Sequence, residues 1–124
     1  MISTTAKGRE AETLVCRYLE QKGYTVMHRN FMCSCGEIDI VAESDNMILL
    51  VEVRLRRKGA LVSGAESINV KKADTMCRCA AEYYSRAHMP DFAVRIDAAQ
   101  VEYEETSGGI KYNIEYFENA LEMR

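Results

Sequence analysis

Two short stretches of this sequence bring together side chains able to hold a cation or stabilise a phosphate: Glu37-Ile38-Asp39 and Glu52-Val53-Arg54. Both lie in runs rich in Ile, Val and Leu on either side of Ser44-Asp45-Asn46, the pattern of a β-hairpin. Side chains alternate along a strand, so Glu37, Asp39 and Val41 are expected on one face and Ile38, Ile40 and Ala42 on the other. A turn centred on Asp45 and Asn46 sets Asp39 opposite Glu52, Glu37 opposite Arg54 and Val41 opposite Leu50. Directly opposed residues have Cβ atoms about 4.5–5.5 Å apart. Two carboxylates at about 5 Å repel by roughly 3 kcal/mol at an effective dielectric of about 20. A divalent cation offsets that repulsion, and magnesium commonly takes one or two carboxylates while keeping several waters. A shared proton is the other solution. The plainer alternative is a polar outer face with Glu37 and Arg54 as a surface ion pair. A three-residue turn would slip the register by one and separate the acids.

Charge is unevenly spread. Residues 1–80 hold 12 Lys/Arg against 10 Asp/Glu, whereas residues 81–124 hold 4 against 9. The net charge of −3 argues against a simple basic nucleic-acid glove. A polyanion would approach the first part, where Arg54, Arg56, Arg57 and Lys58 cluster, although such a run is also what a solvated loop looks like. The five cysteines form two Cys-x-Cys pairs, Cys33/Cys35 and Cys77/Cys79, plus Cys16. Cys77 and Cys79 fall in a helical pattern and would point about 200° apart, and structural zinc sites favour wider spacings. Free thiols are therefore expected. His28 and His88 lack partners at ligand spacing and are assigned no chemistry.

These side chains need elements to position them. Ala11, Leu14, Val15, Tyr18 and Leu19 keep the rhythm of an amphipathic helix, with Thr4 or Thr5 able to cap its start and Gly23 where it ends. Tyr24 to Phe31 reads as a strand closed by Cys33-Ser34-Cys35-Gly36, followed by Glu37 to Glu43 and Met47 to Arg54. A basic loop is expected over Leu55 to Gly64. A second helix is expected from about Asn69 to Ala87, burying Ala73, Met76, Cys77, Ala80 and Tyr84, with His88-Met89-Pro90 stopping it. Phe92 to Tyr103 and Lys111 to Phe117 read as strands around Gly108-Gly109, and a short helix finishing at Met123 is expected. This order predicts an α/β sandwich around one mixed sheet, with long helices on opposite faces.

The length of 124 residues suits a single domain, 1–124, able to bury a core without a metal or disulfide staple. The first seven residues lack the apolar stretch of a secretory signal, and the longest aliphatic run, Met47 to Val51, is far too short to cross a bilayer. A cytoplasmic protein without membrane contact is expected, in a compartment that keeps thiols reduced.

In their order along the chain, these segments resemble the bacterial YraN-like family of uncharacterised proteins, which belongs to the restriction-endonuclease-like superfamily with its PD-(D/E)xK signature. The matching pieces are Gly8-Arg9-Glu10-Ala11-Glu12, Arg29-Asn30-Phe31, Gly36 to Val41, Val51-Glu52-Val53-Arg54, Ile68 with Lys72, Ala80 to Tyr84, and Arg95-Ile96-Asp97. They span the chain to about Ala120, and the Gly-Glu-Ile-Asp strand followed by Val-Glu-Val is the most specific part. Archaeal Holliday-junction resolvases share the architecture. The resemblance implies an α-β-β-β-α-β core with a central mixed sheet flanked by helices, and a nuclease site cutting phosphodiesters in DNA or RNA, branched DNA included. Asp39 and Glu52 would hold weakly bound Mg2+ or Mn2+ with help from the Val53 carbonyl, and Glu12 would add an acidic ligand or orient water. On its own, Glu12 reads equally well as a helix-dipole complement. Lys72, Arg56, Arg57 and Lys58 would contact phosphates. Arg95 and Asp97 read as a structural ion pair.

Position 54 departs from the family pattern, which usually has lysine there. Arginine can stabilise charge on a phosphate but does not give up its proton, so a cation that acidifies water would have to carry more of the chemistry. Three functions stay open: a metal-dependent endonuclease with Arg54 clamping the phosphate, a non-cleaving nucleic-acid-binding module, and a protein-interaction domain using the acidic tail. Many nucleases of this architecture act as homodimers, but no self-complementary surface is identifiable here.

Overall fold

A glycine ends the first helix and a single bulge shapes the first strand. Helix α1 (Thr4–Gln21) buries Ala11, Val15, Cys16 and Leu19. It stops where Gly23 takes φ +96, a left-handed conformation that glycine adopts without steric cost, and Tyr24 N–H donates to Leu19 O at 3.0 Å. The chain then makes β1 (Thr25–Cys33), β2 (Gly36–Ser44), β3 (Met47–Arg57), α2 (Val70–Ala87), β4 (Ala93–Thr106) and β5 (Gly109–Phe117). The structure, a computed structural model, describes residues 4–45, 47–60, 70–87 and 93–120. The proposed cap at Asn69, the stop at His88-Met89-Pro90 and the terminal helix lie outside the described residues.

Among the described residues the five strands form one sheet in the order β1-β2-β3-β4-β5. All neighbours are antiparallel except β3 and β4, whose parallel pairing requires the crossover that α2 provides. One face packs on α2 through Val41, Ile48, Leu50, Ile96 and Ala98. The other packs on α1 through Ile40, Ala42, Leu49, Val51, Ala99 and Val101. Helices thus cover opposite faces, and the α-β-β-β-α-β order is consistent with the expected restriction-endonuclease-like core, with β5 added at the edge.

Several expectations need correcting. The basic segment assigned to a loop from Leu55 is still strand as far as Arg57, because β4 pairs with it through Arg57↔Tyr103. The buried stripe of α2 is Ala73, Met76, Cys79, Ala80 and Tyr83, while Cys77 is exposed. Ala73, Met76 and Ala80 are common to both, and the centre of the stripe is displaced by roughly 50°, half a residue step, toward Cys79 and Tyr83. Cys33 and Cys79 are joined by a disulfide rather than free, leaving Cys16, Cys35 and Cys77 as thiols. Each Cys-x-Cys pair sends one sulfur toward the other pair.

The strand alternation also breaks. Ile38 packs on the α2 side with Val41, whereas Ile40 and Ala42 pack on the α1 side. Residues 38 and 40 should share a face, so the pleat inverts at Asp39. Opposite it, between the pairs Arg29↔Ile40 and Phe31↔Ile38, Asn30 has φ +54. Asparagine tolerates that left-handed conformation better than most residues. The two strands twist over together.

Candidate metal and phosphate site

The predicted two-residue turn is present: Ser44 pairs with Met47 and Val41 with Leu50. The paired register ends at Ile40↔Val51, one step short of the expected pairing of Asp39 with Glu52. At that step the β2–β3 backbone ladder ends, while β2 continues against β1 to Gly36 and β3 continues against β4 to Arg57. Asp39 occupies the parting. Its Oδ2 accepts the Val53 N–H at 2.7 Å, a side-chain bond in place of the backbone bond a continuous ladder would make.

Burial pushes the Asp39 carboxyl above its ordinary range, the Val53 N–H opposes that shift, and the charges of Glu12 and Glu52 reinforce it while Lys72 pulls it back. Asp39 therefore feels groups from α1, β3 and α2 at once. Glu52 projects toward the α2 side, on the same face as Leu50, and two cations attend it. Arg54 Nε and Nη2 donate to its Oε2 at 3.2 and 3.0 Å, and Lys72 Nζ lies 3.9 Å from its Oε1. Lys72 reaches it from the first turn of α2.

Glu12 comes from α1 toward the outer strand. Arg29 lies 3.6 Å from its carboxylate, and the Asn30 amide donates to it at 3.3 Å. With the amide turned over, Asn30 also reaches Glu37 Oε1 at 3.3 Å. Asn30 thus ties α1 to β2 beside Asp39, a role not assigned from the sequence. Its signal was there, since asparagine is among the few residues suited to a left-handed twist inside a strand. Among the described residues, Glu12, Asp39 and Glu52 do not bring three ligand oxygens within 4.8 Å of one another. Val53 contributes its N–H to Asp39, and its side chain packs on the α1 side.

The basic stretch sits beside acids. Arg56 lies 3.5 Å from Glu102, its partner in the parallel ladder, and Lys58 lies 3.7 Å from Glu104. Arg57 is exposed. Glu52, Arg54 and Arg56 share one face of β3 with Gln100 and Glu102 of β4, a polar strip running away from the end of α2. Arg95 and Asp97 form the structural pair expected of them: Asp97 is fully buried and takes bonds from Arg95, from Tyr116 Oη at 2.6 Å and from Asn119 N–H at 2.8 Å. His28 packs its ring on Phe31 and Tyr83.

The fold is an α/β domain whose element order is consistent with a restriction-endonuclease-like core, and its acidic seam is flanked by cations. The model of the Uncharacterised protein family UPF0102 matches residues 11–101. The chain belongs to that family, as its resemblance to YraN-like proteins implied. It is 33% identical to a UPF0102 protein of Nitrosomonas europaea over 122 residues, 98% of each chain. A UPF0102 protein of Alkaliphilus oremlandii is 36% identical over 92% of this chain and 96% of its own. One from Sulfurihydrogenibium sp. is 41% identical over 75% of this chain and 81% of its own. Among solved structures, Pyrococcus furiosus SfsA in complex with Ca2+ aligns with 99% of this chain and 67% of its own length, at 18% identity and a TM-score of 0.39. That similarity is too slight to bear on site or function.

Proposed function

We propose that this protein is a cytoplasmic nuclease that hydrolyses phosphodiester bonds of DNA or RNA with a divalent cation of the magnesium class. The observation that supports this most directly is Asp39 at the parting of β2 and β3, its carboxylate fixed by Val53 N–H at 2.7 Å and desolvated within the field of Glu12 and Glu52. Burying a carboxylate near like charges is costly unless something compensates. The donors suit a hard cation: all are carboxylate oxygens, and a two-carboxylate set matches the weak, partly hydrated binding typical of magnesium. Asp39 and Glu52 would hold it, and it would supply Lewis acidity toward the phosphate and a more acidic water.

The chain's own residues do the rest. Val53 N–H and the inverted pleat aim the Asp39 carboxylate. Arg54 fixes Glu52 by two N–H bonds to one oxygen, leaving Oε1 facing Lys72. Lys72 brings to the site, from α2, the ammonium that position 54 does not supply, and can meet a non-bridging phosphate oxygen as charge develops there. Arg56 and Arg57 extend the cationic rim along β3 and position the backbone without reading sequence.

One observation favours a second reading, a module that binds nucleic acid without cutting: the Arg54 guanidinium is turned onto Glu52, where it neutralises the carboxylate a cation would use. A cleavage assay separates the two readings. Single-stranded, duplex and branched DNA and RNA are incubated with the full chain and Mg2+ or Mn2+, alongside Asp39→Asn and Glu52→Gln. Metal-dependent cutting lost in both variants supports the nuclease, and Lys72→Ala then lowers the rate more than Arg54→Lys does. Salt-sensitive binding without cutting in any of these mixtures selects the module.

A further inference from the structure

Three sulfur atoms meet against the middle of α2, about two turns along the helix from Lys72. Cys33 closes β1, Cys79 lies on the buried face of α2, and the two are bonded across a sequence separation of 46 with Cα atoms 5.5 Å apart. Cys35, in the two-residue turn between β1 and β2, lies with its Sγ 3.7 Å from Cys33 Sγ, and all three sulfurs fall within 4.8 Å of one another. Access to them is graded: Cys79 is 0% exposed, Cys33 is partly covered and Cys35 is exposed. The turn is itself held to the helix, since Ser34 N–H donates to Glu82 Oε2 at 3.1 Å, one turn beyond Cys79.

A bond between a partly covered sulfur and a fully buried one exchanges slowly with a thiol in solution, because exchange requires an attacking thiolate to reach a sulfur of the bond. Cys35 can be reached from solution and also lies against Cys33. We propose that Cys35 is a thiol-modification site, taking up a low-molecular-weight thiol of the glutathione class and relaying oxidation and reduction to the buried Cys33–Cys79 bond.

In the reducing direction, the Cys35 thiolate attacks Cys33 Sγ. The Cys33–Cys35 bond forms, the Cys33–Cys79 bond breaks, and Cys79 leaves with the electron pair and takes up a proton. An external thiolate then attacks Cys35, releasing Cys33 and leaving a mixed disulfide on Cys35. A second external thiolate attacks the external sulfur of that mixed disulfide, so Cys35 leaves as thiolate. Two small thiols become one small disulfide, and the protein gains two thiols. Oxidation by the small disulfide runs through the same species in reverse. The relay decides whether α2 is covalently tied to the β1–β2 turn. Nothing in it depends on what the carboxylates beside the first turn of the helix bind.

The test uses the full chain as wild type, Cys35→Ser, Cys77→Ser and Cys79→Ala in mixtures of reduced and oxidised glutathione. Samples are alkylated at intervals and mapped by mass spectrometry. Wild type and Cys77→Ser should interconvert at the same rate. Cys35→Ser should reach the same oxidised fraction at a given glutathione ratio but at least ~10-fold more slowly in both directions, because the exposed entry sulfur is gone. Cys79→Ala should accumulate glutathione on Cys35 or the Cys33–Cys35 bond. Exchange of Cys35→Ser at the wild-type rate overturns the proposal. So does a first glutathione adduct on Cys33, or failure of the wild type to form the Cys33–Cys79 bond at every ratio. Cys35 is exposed, so its serine variant tests the relay even if Cys79→Ala does not fold.

Discussion

At the scale of single residues, Asp39 and Asp97 show two ways to keep a carboxylate inside a sheet. Asp97 is fully buried and satisfied on all sides by Arg95, Tyr116 and Asn119. Burial, and then the bond to Asp97, hold the Tyr116 phenol far above its ordinary range, so it stays a donor. Asp97→Ala takes the shared acceptor from Arg95, Tyr116 and the Asn119 N–H and should cost about 1–3 kcal/mol, read from urea unfolding. Asp39 is only partly compensated. Its folded carboxyl binds the proton more tightly than the unfolded one, so ionising it weakens folding as pH climbs from the ordinary carboxylate range through the raised value. Asparagine keeps an acceptor for Val53 N–H and removes the charge. Asp39→Asn should therefore raise stability by roughly 1 kcal/mol at neutral pH, an advantage that vanishes in acid, and should abolish any stabilisation by Mg2+. Thermal melts of both proteins across pH, with and without Mg2+, check this. An unchanged Mg2+ response would remove Asp39 from the ligand set. Register follows from a two-residue turn and period-two alternation, so the sequence carried the β2–β3 pairing as far as Ile40↔Val51, one step short of Asp39 and Glu52. It did not show that the pleat inverts at Asp39, since alternation assumes an untwisted strand.

At the scale of elements, the β1–β2 hairpin and α2 depend on close fitting. A Cβ at Gly36 would stand 2.9 Å from Thr75 Cγ2, and Gly36 has φ +157. Gly36→Ala should cost about 1–3 kcal/mol, and Thr75→Ala in the same chain should restore part of it, since overpacking is relieved by removing the opposing methyl. Differential scanning fluorimetry reads both. Asn30→Val places a β-branched residue in a left-handed conformation and removes the tie between Glu12 and β2. It should destabilise by about 1–2 kcal/mol, whereas Asn30→Gly loses the tie without the backbone cost. Comparing their unfolding midpoints separates backbone strain from the lost contact. Tyr83 holds α2 on this hairpin, donating to Glu43 at 2.9 Å, with its phenol pushed up to about 12 by burial and then by that bond. The stripe of α2 was only half legible. Residues 73–84 include small apolar side chains at Cys77, Cys79, Ala80 and Ala81 that fit two adjacent stripes equally well. The sulfur pairing follows from which stripe faces the sheet, and tertiary packing makes that choice.

At the scale of the whole molecule, the separation of a basic first part from an acidic second part, plain in the sequence, is undone by topology. The parallel β3–β4 ladder lays Arg56 beside Glu102, and Lys58 reaches Glu104. No reading of either segment alone could show this, because the register is set across a crossover. Releasing those cations should strengthen attraction to a polyanion: Glu102→Gln with Glu104→Gln should tighten duplex DNA binding several-fold at low salt and steepen its salt dependence. Fluorescence anisotropy measures it, and unchanged affinity would mean the strip is not the contact surface. That same ladder also sets the order in which the chain can assemble. All three hairpins close over very short turns, whereas β3 meets β4 only after an intervening helix, pairing Met47 with Ala93. Joining such distant segments carries the greatest loop-closure entropy. Until they join, the Leu- and Val-rich rim of β3 is an open edge, and newly made chains are at their stickiest.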